Sequence, residues 1–198
     1  MGNDKAVFLD RDGVLNELVW NIKSNEFEAP HKSSDYKLLP GVIDSLKELL
    51  NLNYKLFVVT NQPDYAKGKT TLEDLKLVHE KMHSIFKENN VNITEYYYCY
   101  HHPQGIVPAY SIACECRKPG NLSLRQASLK YGLDMANSWM IGDRDGDIEC
   151  GQASCVRTIM IKVEQSLKNA MKSRPDYKVN NLQEAVEIIK KELSYAKR

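Results

Sequence analysis

No stretch of the 198-residue sequence approaches the roughly 20 consecutive apolar residues that a bilayer-spanning helix needs. Nor is a leader expected: the first apolar run opens at Ala6 with no basic segment, long apolar core or small-residue cleavage site ahead of it. A soluble, cytoplasmic chain is the expectation. Charge of one sign is also lacking, since 27 Lys and Arg stand against 26 Asp and Glu. That balance excludes a general electrostatic footprint for nucleic acid or an anionic membrane, so any charged partner has to be met locally. Internal repeats and low-complexity linkers are absent, and 198 residues leave little room for a second full domain beside one with a substantial core. A single domain over 1–198, monomeric, is expected. Cysteine is scarce and odd in number. Of the five, Cys99, Cys114 and Cys116 lie close together beside the pair His101 and His102, which favours a metal over disulfides in a reducing compartment.

What is present is an alternation. Apolar runs of strand character occur at AVFLD (6–10), YKLFVVT (54–60), EYYYCY (95–100), SWMIGD (138–143) and VRTIMI (156–161), each followed by polar or glycine-rich residues. Between them lie helical patterns. Val42, Ile43, Leu46, Leu49 and Leu50 mark one apolar face, and Leu72, Leu75, Val78, Met82, Ile85 and Phe86 another, behind the N-cap Thr71. Further helices run from Leu122 to Tyr131 and through Leu182, Ala185, Val186, Ile189 and Leu193. The order predicts an α/β fold: a doubly wound, mostly parallel sheet with helices on both faces and ligands at the C-terminal strand ends. Two stretches, 17–40 and 101–120, are too long to be simple connections.

The strand ends carry the chemistry. The first strand ends in Asp10 with Asp12 two residues on, the second in Thr60, Asn61 and Gln62, and the fourth in Asp143 with Asp145 and Asp147 beyond; Arg117 and Lys118 open the helical segment before that fourth strand. A parallel sheet gathers all of these at one edge. A carboxylate nucleophile, a second carboxylate, a hydroxyl, a lysine and further acids suit phosphoryl transfer with magnesium, whose charge lets one anion attack another. Singly, each piece is commonplace: DxDG turns, strand-end threonines and surface lysines abound. The GDRDGD run fails as a calcium loop because Ile148 stands at the sixth position, where the turn wants glycine.

In order and spacing the set resembles the haloacid dehalogenase superfamily of phosphohydrolases, with Asp10 and Asp12 at its DxD motif, Thr60 at its strand-end Ser/Thr, Lys118 at its lysine and GDRDGD at its terminal acidic motif. The resemblance implies that Asp10 attacks phosphorus to give an aspartyl-phosphate, while Asp12 protonates the leaving oxygen and then activates water. Thr60 and Lys118 would hold the phosphoryl oxygens. Magnesium would be bound by Asp10, the main-chain carbonyl of Asp12 and Asp143, with Asp147 in or near its coordination sphere.

In CYHHPQGIVPAYSIACECRKP, Cys99 and His101 at one end and Cys114 and Cys116 at the other make a Cys3His set fit for a closed, structural zinc site, with His102 the competing ligand. Such a zinc-bound loop, about 99–116, would pin the segment that delivers Arg117 and Lys118. FLDRDG, VVTNQ, HHPQG, CECRKP and IGDRDGD resemble the branch of heptose 1,7-bisphosphate and histidinol-phosphate phosphatases over about residues 6–190. The resemblance implies a small phosphorylated metabolite as substrate, heptose 1,7-bisphosphate first and histidinol phosphate second, met beyond its reacting phosphate by Asn61, Lys67 and Arg117. It also implies no large cap domain, the pocket being closed by loops 17–35, 62–69 and 101–116.

The chain departs from that branch in NQPDYAKG, where the branch has NQSGxARG: Pro63 and Asp64 replace a serine-glycine pair, and Lys67 replaces an arginine able to grip a second phosphate with two prongs. Glu28, His31 and Lys32 in the long polar stretch are expected to be solvated. HEKMH (79–83) matches the zinc-protease pattern through His79, Glu80 and His83, but no third ligand follows, and Val78 and Met82 claim the buried face of that helix. A solvated helix is the plainer reading. A non-catalytic module stabilised by zinc is the other alternative to an enzyme.

Overall fold

Among the residues described by the computed structural model, 4–166 and 172–195, there are eight strands and five α-helices. The strands are β1 (Lys5–Leu9), β2 (Val19–Asn21), β3 (Glu26–Glu28), β4 (Tyr54–Asn61), β5 (Glu95–Cys99), β6 (Trp139–Gly142), β7 (Arg157–Ile161) and β8 (Tyr177–Val179). The helices are α1 (Val42–Asn51), α2 (Leu72–Glu88), α3 (Leu122–Tyr131), α4 (Asp145–Ala153) and α5 (Leu182–Tyr195). Of the span 1–198 expected for the domain, residues 1–3, 167–171 and 196–198 lie outside the described residues.

Six strands form one parallel sheet in the order β5-β4-β1-β6-β7-β8, and β2 and β3 pair antiparallel as a separate hairpin. The central strands read as continuous apolar runs because both faces are covered. In β4, Leu56 and Val58 enter one core while Phe57 and Val59 enter the other; β1 divides Val7 and Leu9 from Ala6 and Phe8 in the same way. Leu46 and Leu49 of α1, Val78 and Met82 of α2, and Val186 and Ile189 of α5 cover the first face. Leu124 and Ala127 of α3 and Cys150 of α4 cover the second. Each large aliphatic side chain so buried contributes roughly 1.5–3 kcal/mol.

The chain runs outward from β1 through β4 to β5, then crosses back to β6 on the other side of β1. The strand order therefore reverses between β1 and β6, and a crevice opens beyond their C-terminal ends. Both strands stop there at carboxylates, Asp10 and Asp143. The five strands and four helices read from periodicity are all present, and Thr71 caps α2 by accepting a hydrogen bond from the Asp74 amide at 3.0 Å. Four elements are not foretold by the pattern. β2, β3 and β8 have three residues each, too few for alternation to register. Helix α4 carries Gly146 and Gly151, poor helix formers that mask its period.

Candidate active site

Asp10 lies one residue past the last pair of β1 and β6, and its amide still donates to the Ile141 carbonyl at 2.9 Å, which continues the strand geometry into the site. The turn that follows closes on Gly13 at φ +86°, where a Cβ would stand 2.6 Å from Asp143 Oδ2. Only glycine permits both that conformation and that approach. Gly142 plays the same part on the other strand, since a Cβ there would overlap the Asp147 side chain. Asp10, Asp143 and Asp147 are thereby drawn together, each buried and each with a carboxylate oxygen within 4.8 Å of the others.

Lys118 supplies the opposing charge. Its buried ammonium donates to Asp10 Oδ1 at 2.8 Å and to the Val59 carbonyl at 2.6 Å, and pairs with Asp147 Oδ1 at 2.6 Å. Burial opposes that charge, but Asp10 and Asp147 outweigh it and hold the lysine above its ordinary pKa. Burial likewise pushes the Asp10 carboxyl above the usual range; Lys118 acts against the rise, and Asp147 and Asp12 add to it. Lys118 thus faces two of the three buried acids, and Arg144 Nε lies 3.8 Å from the third at Asp143 Oδ2; three carboxylates so close together suit a further cation. Asp147 is fixed by its own backbone role, accepting from the Arg144 amide at 3.0 Å at the start of α4.

Asp12 is held from every side. Arg11 donates to its Oδ1 through Nε at 3.1 Å and Nη2 at 3.0 Å, Asn16 Nδ2 donates to the same oxygen at 3.0 Å, and Gln62 Nε2 donates to Oδ2 at 2.6 Å. Gln62 also accepts from Arg11 Nη2 at 2.8 Å and donates to Thr60 Oγ1 at 2.8 Å, so the two strand ends share one network. Burial raises the Asp12 pKa, but the Arg11 guanidinium and the hydrogen bonds from Asn16, Arg11 and Gln62 prevail and keep it below the usual carboxylate range. Arg11 is wholly buried. No local pattern announces this, because an arginine inside a polar turn ordinarily points to solvent.

Cys99, His101, Cys114 and Cys116 converge with their ligand atoms within 4.8 Å of one another. The sulfurs are 3.3–3.6 Å apart, and His101 Nδ1 lies 3.5 Å from Cys116 Sγ. These separations and the soft donor set fit one tetrahedral ion. Of the two candidate histidines, His101 joins the set, while His102 Nδ1 accepts from the Gln104 amide at 3.1 Å. Two residues beyond the cluster, Lys118 is clamped through its backbone by Asn61, whose amide donates to the Lys118 carbonyl and accepts from its N–H, both at 3.0 Å. Asn61, expected to meet substrate, borders the cavity but spends its polar atoms on the lysine.

The cavity has a volume of about 430 Å³ and is lined by Asp10, Asp12, Asn61, Lys67, Arg117, Lys118, Asp143 and Asp147, among others. Thr60 sits just below, buried against Gln62. The expectation that Glu28, His31 and Lys32 are solvated holds only for Lys32, which is exposed. Glu28 is buried, pairs with Lys69 and accepts from Asn21 Nδ2 at 2.6 Å, and His31 Nε2 lies 2.9 Å from Asp64 Oδ2. The physical reason is the β2–β3 hairpin, which folds back over the crevice and brings Glu28 to its wall. His79 and His83 remain apart from all this on α2, the first 2.5 Å from Tyr98 Oη and the second 3.2 Å from Tyr96 Oη. Among the described residues they join no metal-ligating group of three, so the protease pattern is a coincidence of spacing.

Paired acids at the switch point of this sheet, opposed by a buried lysine, define a site of the class suited to phosphoryl transfer. Residues 115–185 match the family model for HAD-hydrolase-like proteins. The chain is 32% identical over 188 residues, 94% of each chain, to the D-glycero-beta-D-manno-heptose-1,7-bisphosphate 7-phosphatase of Escherichia coli (strain K12). It is 32% identical over 183 residues, 90% of this chain and 96% of the other, to the D-glycero-alpha-D-manno-heptose-1,7-bisphosphate 7-phosphatase of Photorhabdus laumondii. A crystal structure of D,D-heptose 1,7-bisphosphate phosphatase from B. bronchiseptica, complexed with magnesium and phosphate, has the same fold, with a TM-score of 0.76 at 20% identity over 95% of this chain and 99% of that one. The chain belongs to the haloacid dehalogenase-like phosphatases and is a phosphoric monoester hydrolase. No helix among the described residues is long and apolar enough to cross a membrane.

Proposed function

We propose that the protein removes a phosphoryl group from a small sugar bisphosphate, D-glycero-D-manno-heptose 1,7-bisphosphate foremost, by way of an aspartyl-phosphate on Asp10. The observation that carries the chemistry is the convergence of Asp10, Asp143 and Asp147 at the mouth of the β1–β6 crevice, with Lys118 paired to Asp10 and Asp147. The two relatives at 32% identity, both named for the heptose bisphosphate, support the substrate.

Asp10 attacks phosphorus as the bond to the leaving oxygen breaks, and Asp12 gives that oxygen its proton. Water then attacks the acyl phosphate, Asp12 takes the proton, and inorganic phosphate leaves with Asp10 restored. In the free enzyme Asp12 is ionised, as the second half needs. The approach of a phosphate dianion raises its pKa and loads it for the first half. Gln62 aims both Asp12 and Thr60, whose hydroxyl, with the Lys118 ammonium, holds the phosphoryl oxygens. The acids fit magnesium, which would be held by Asp10, the Asp12 carbonyl, Asp143 and Asp147 and would offset the charge of nucleophile and phosphate. The Cys3His donors fit a structural zinc, which Cys99, His101, Cys114 and Cys116 would hold and which would fix the Arg117–Lys118 arm.

Phosphate release from sugar bisphosphates and histidinol phosphate, with and without magnesium, on wild type and Asp10→Asn tests the reading. It predicts release that needs magnesium and Asp10 and favours the heptose bisphosphate; release that survives the substitution would reject the nucleophile.

A further inference from the structure

The hairpin over the crevice is more than a polar connection. Trp20 and Phe27 are opposite one another across β2 and β3, and their rings meet edge to face at 5.1 Å and 67°. That contact fixes the orientation of Phe27, which remains partly exposed and borders the cavity. The neighbouring Glu28 is buried and tied to Lys69 and Asn21. Beyond it His31 pairs with Asp64 at 2.9 Å and its carbonyl accepts from Thr70 Oγ1 at 3.3 Å. The hairpin is thus fastened at several points to the loop that follows Thr60. Asp64, which replaces a glycine of the family pattern, supplies one fastening.

The cavity has a reacting end, made by the acids and Lys118, and a wall that carries Lys67 and Arg117. Cations serve the phosphates of a sugar bisphosphate, but its carbon skeleton also presents C–H faces that are best met by an apolar surface. Phe27 is the one aromatic side chain among the described residues lining the cavity. We infer that Phe27, presented by the fastened β2–β3 hairpin, is a specificity-determining residue that receives the carbon skeleton of the sugar phosphate while its phosphates are held by the charged groups. The inference rests on the phosphatase reading above and adds to it the element that selects a sugar over other phosphate monoesters.

The test compares heptose 1,7-bisphosphate with acetyl phosphate, a small acyl phosphate with almost no skeleton to place against the ring. Phe27→Ala raises KM for the sugar substrate on the order of tenfold, about 1.4 kcal/mol, with kcat little changed, because the variant loses the apolar surface against the skeleton. Acetyl phosphate turnover stays as in wild type, which also reports that the variant is folded. Phe27→Tyr restores the sugar KM. An unchanged sugar KM in Phe27→Ala would overturn the assignment, as would an equal loss on both substrates, which marks mere structural support. Turnover of both substrates that survives Asp10→Asn would overturn the phosphatase mechanism and this inference with it.

Discussion

Lys118 Nζ lies 2.6 Å from Asp147 Oδ1, and that pair joins two segments that approach the site from different directions. One arrives from the cysteine cluster, the other from the start of α4. The same ammonium reaches Asp10, so the proposed nucleophile, the acidic motif and the cysteine loop meet at a single buried cation.

Replacing Lys118 by Met tests how much rests on that cation. The variant loses the proposed phosphoryl-oxygen donor, for which a roughly hundred- to thousandfold fall in kcat is expected. It also leaves Asp10 and Asp147 buried without the cation between them. Melting curves with and without magnesium then separate more widely in the variant than in wild type; equal separation would show that Lys118 does not balance those acids.

Arg11 and Asp12 form a buried ion pair 3.0 Å long. Arg11→Met strips the carboxylate of its guanidinium and destabilises the fold by about 3–5 kcal/mol, measured by urea unfolding near neutral pH. The pH dependence has a definite sign. The folded pKa of Asp12 is depressed, so its contribution is present above the unfolded value near 3.9 and is lost as pH falls through the folded one. The stability gap between wild type and variant therefore narrows in acid. A gap that stays constant there would exclude Asp12 as its source.

His31 and Asp64 make a second pH test, at the hairpin. The hydrogen bond to Asp64 raises the imidazole above its ordinary 6.5, with burial opposing; Asp64 and Glu28 face it as acids and Lys69 as a base. For a raised pKa the stabilisation is complete below the unfolded value and disappears as pH rises through the folded one. KM for the sugar substrate accordingly climbs on the alkaline side in wild type. In Asp64→Asn it is higher throughout and flat over the same range. Parallel profiles for the two proteins would remove His31 from the fastening.

These outcomes bear on what was legible in the sequence. Asp10, Asp143, Asp147 and Lys118 were legible because nearly continuous apolar strands announce their own ends, and chemistry in a parallel sheet gathers there. The cysteine set was legible from its tight pairs, which leave few other uses. Arg11, Gln62 and Asn16 were hidden, since their role depends on burial and burial of a polar turn has no period. The fastening of Glu28 and His31 was missed for another reason: three-residue strands form only because the hairpin packs over the crevice, a tertiary cause that local pattern does not carry.

Cys116→Ser probes the link between the cysteine loop and the chemistry. Wild type purified without chelators should carry about one zinc per chain by elemental analysis, and the variant close to none. With the loop unpinned, the Lys118 arm shifts, the melting temperature drops and kcat falls. Full activity in a zinc-free variant would separate the cluster from the site.

The most direct test of the whole account is the crystal structure of the protein with magnesium and beryllofluoride, a mimic of an acyl phosphate. The account predicts beryllium bonded to Asp10, fluorines within reach of Thr60 and Lys118, and magnesium between Asp10 and Asp143. Beryllofluoride attached to another side chain, or none on Asp10 with the magnesium site filled, would contradict it.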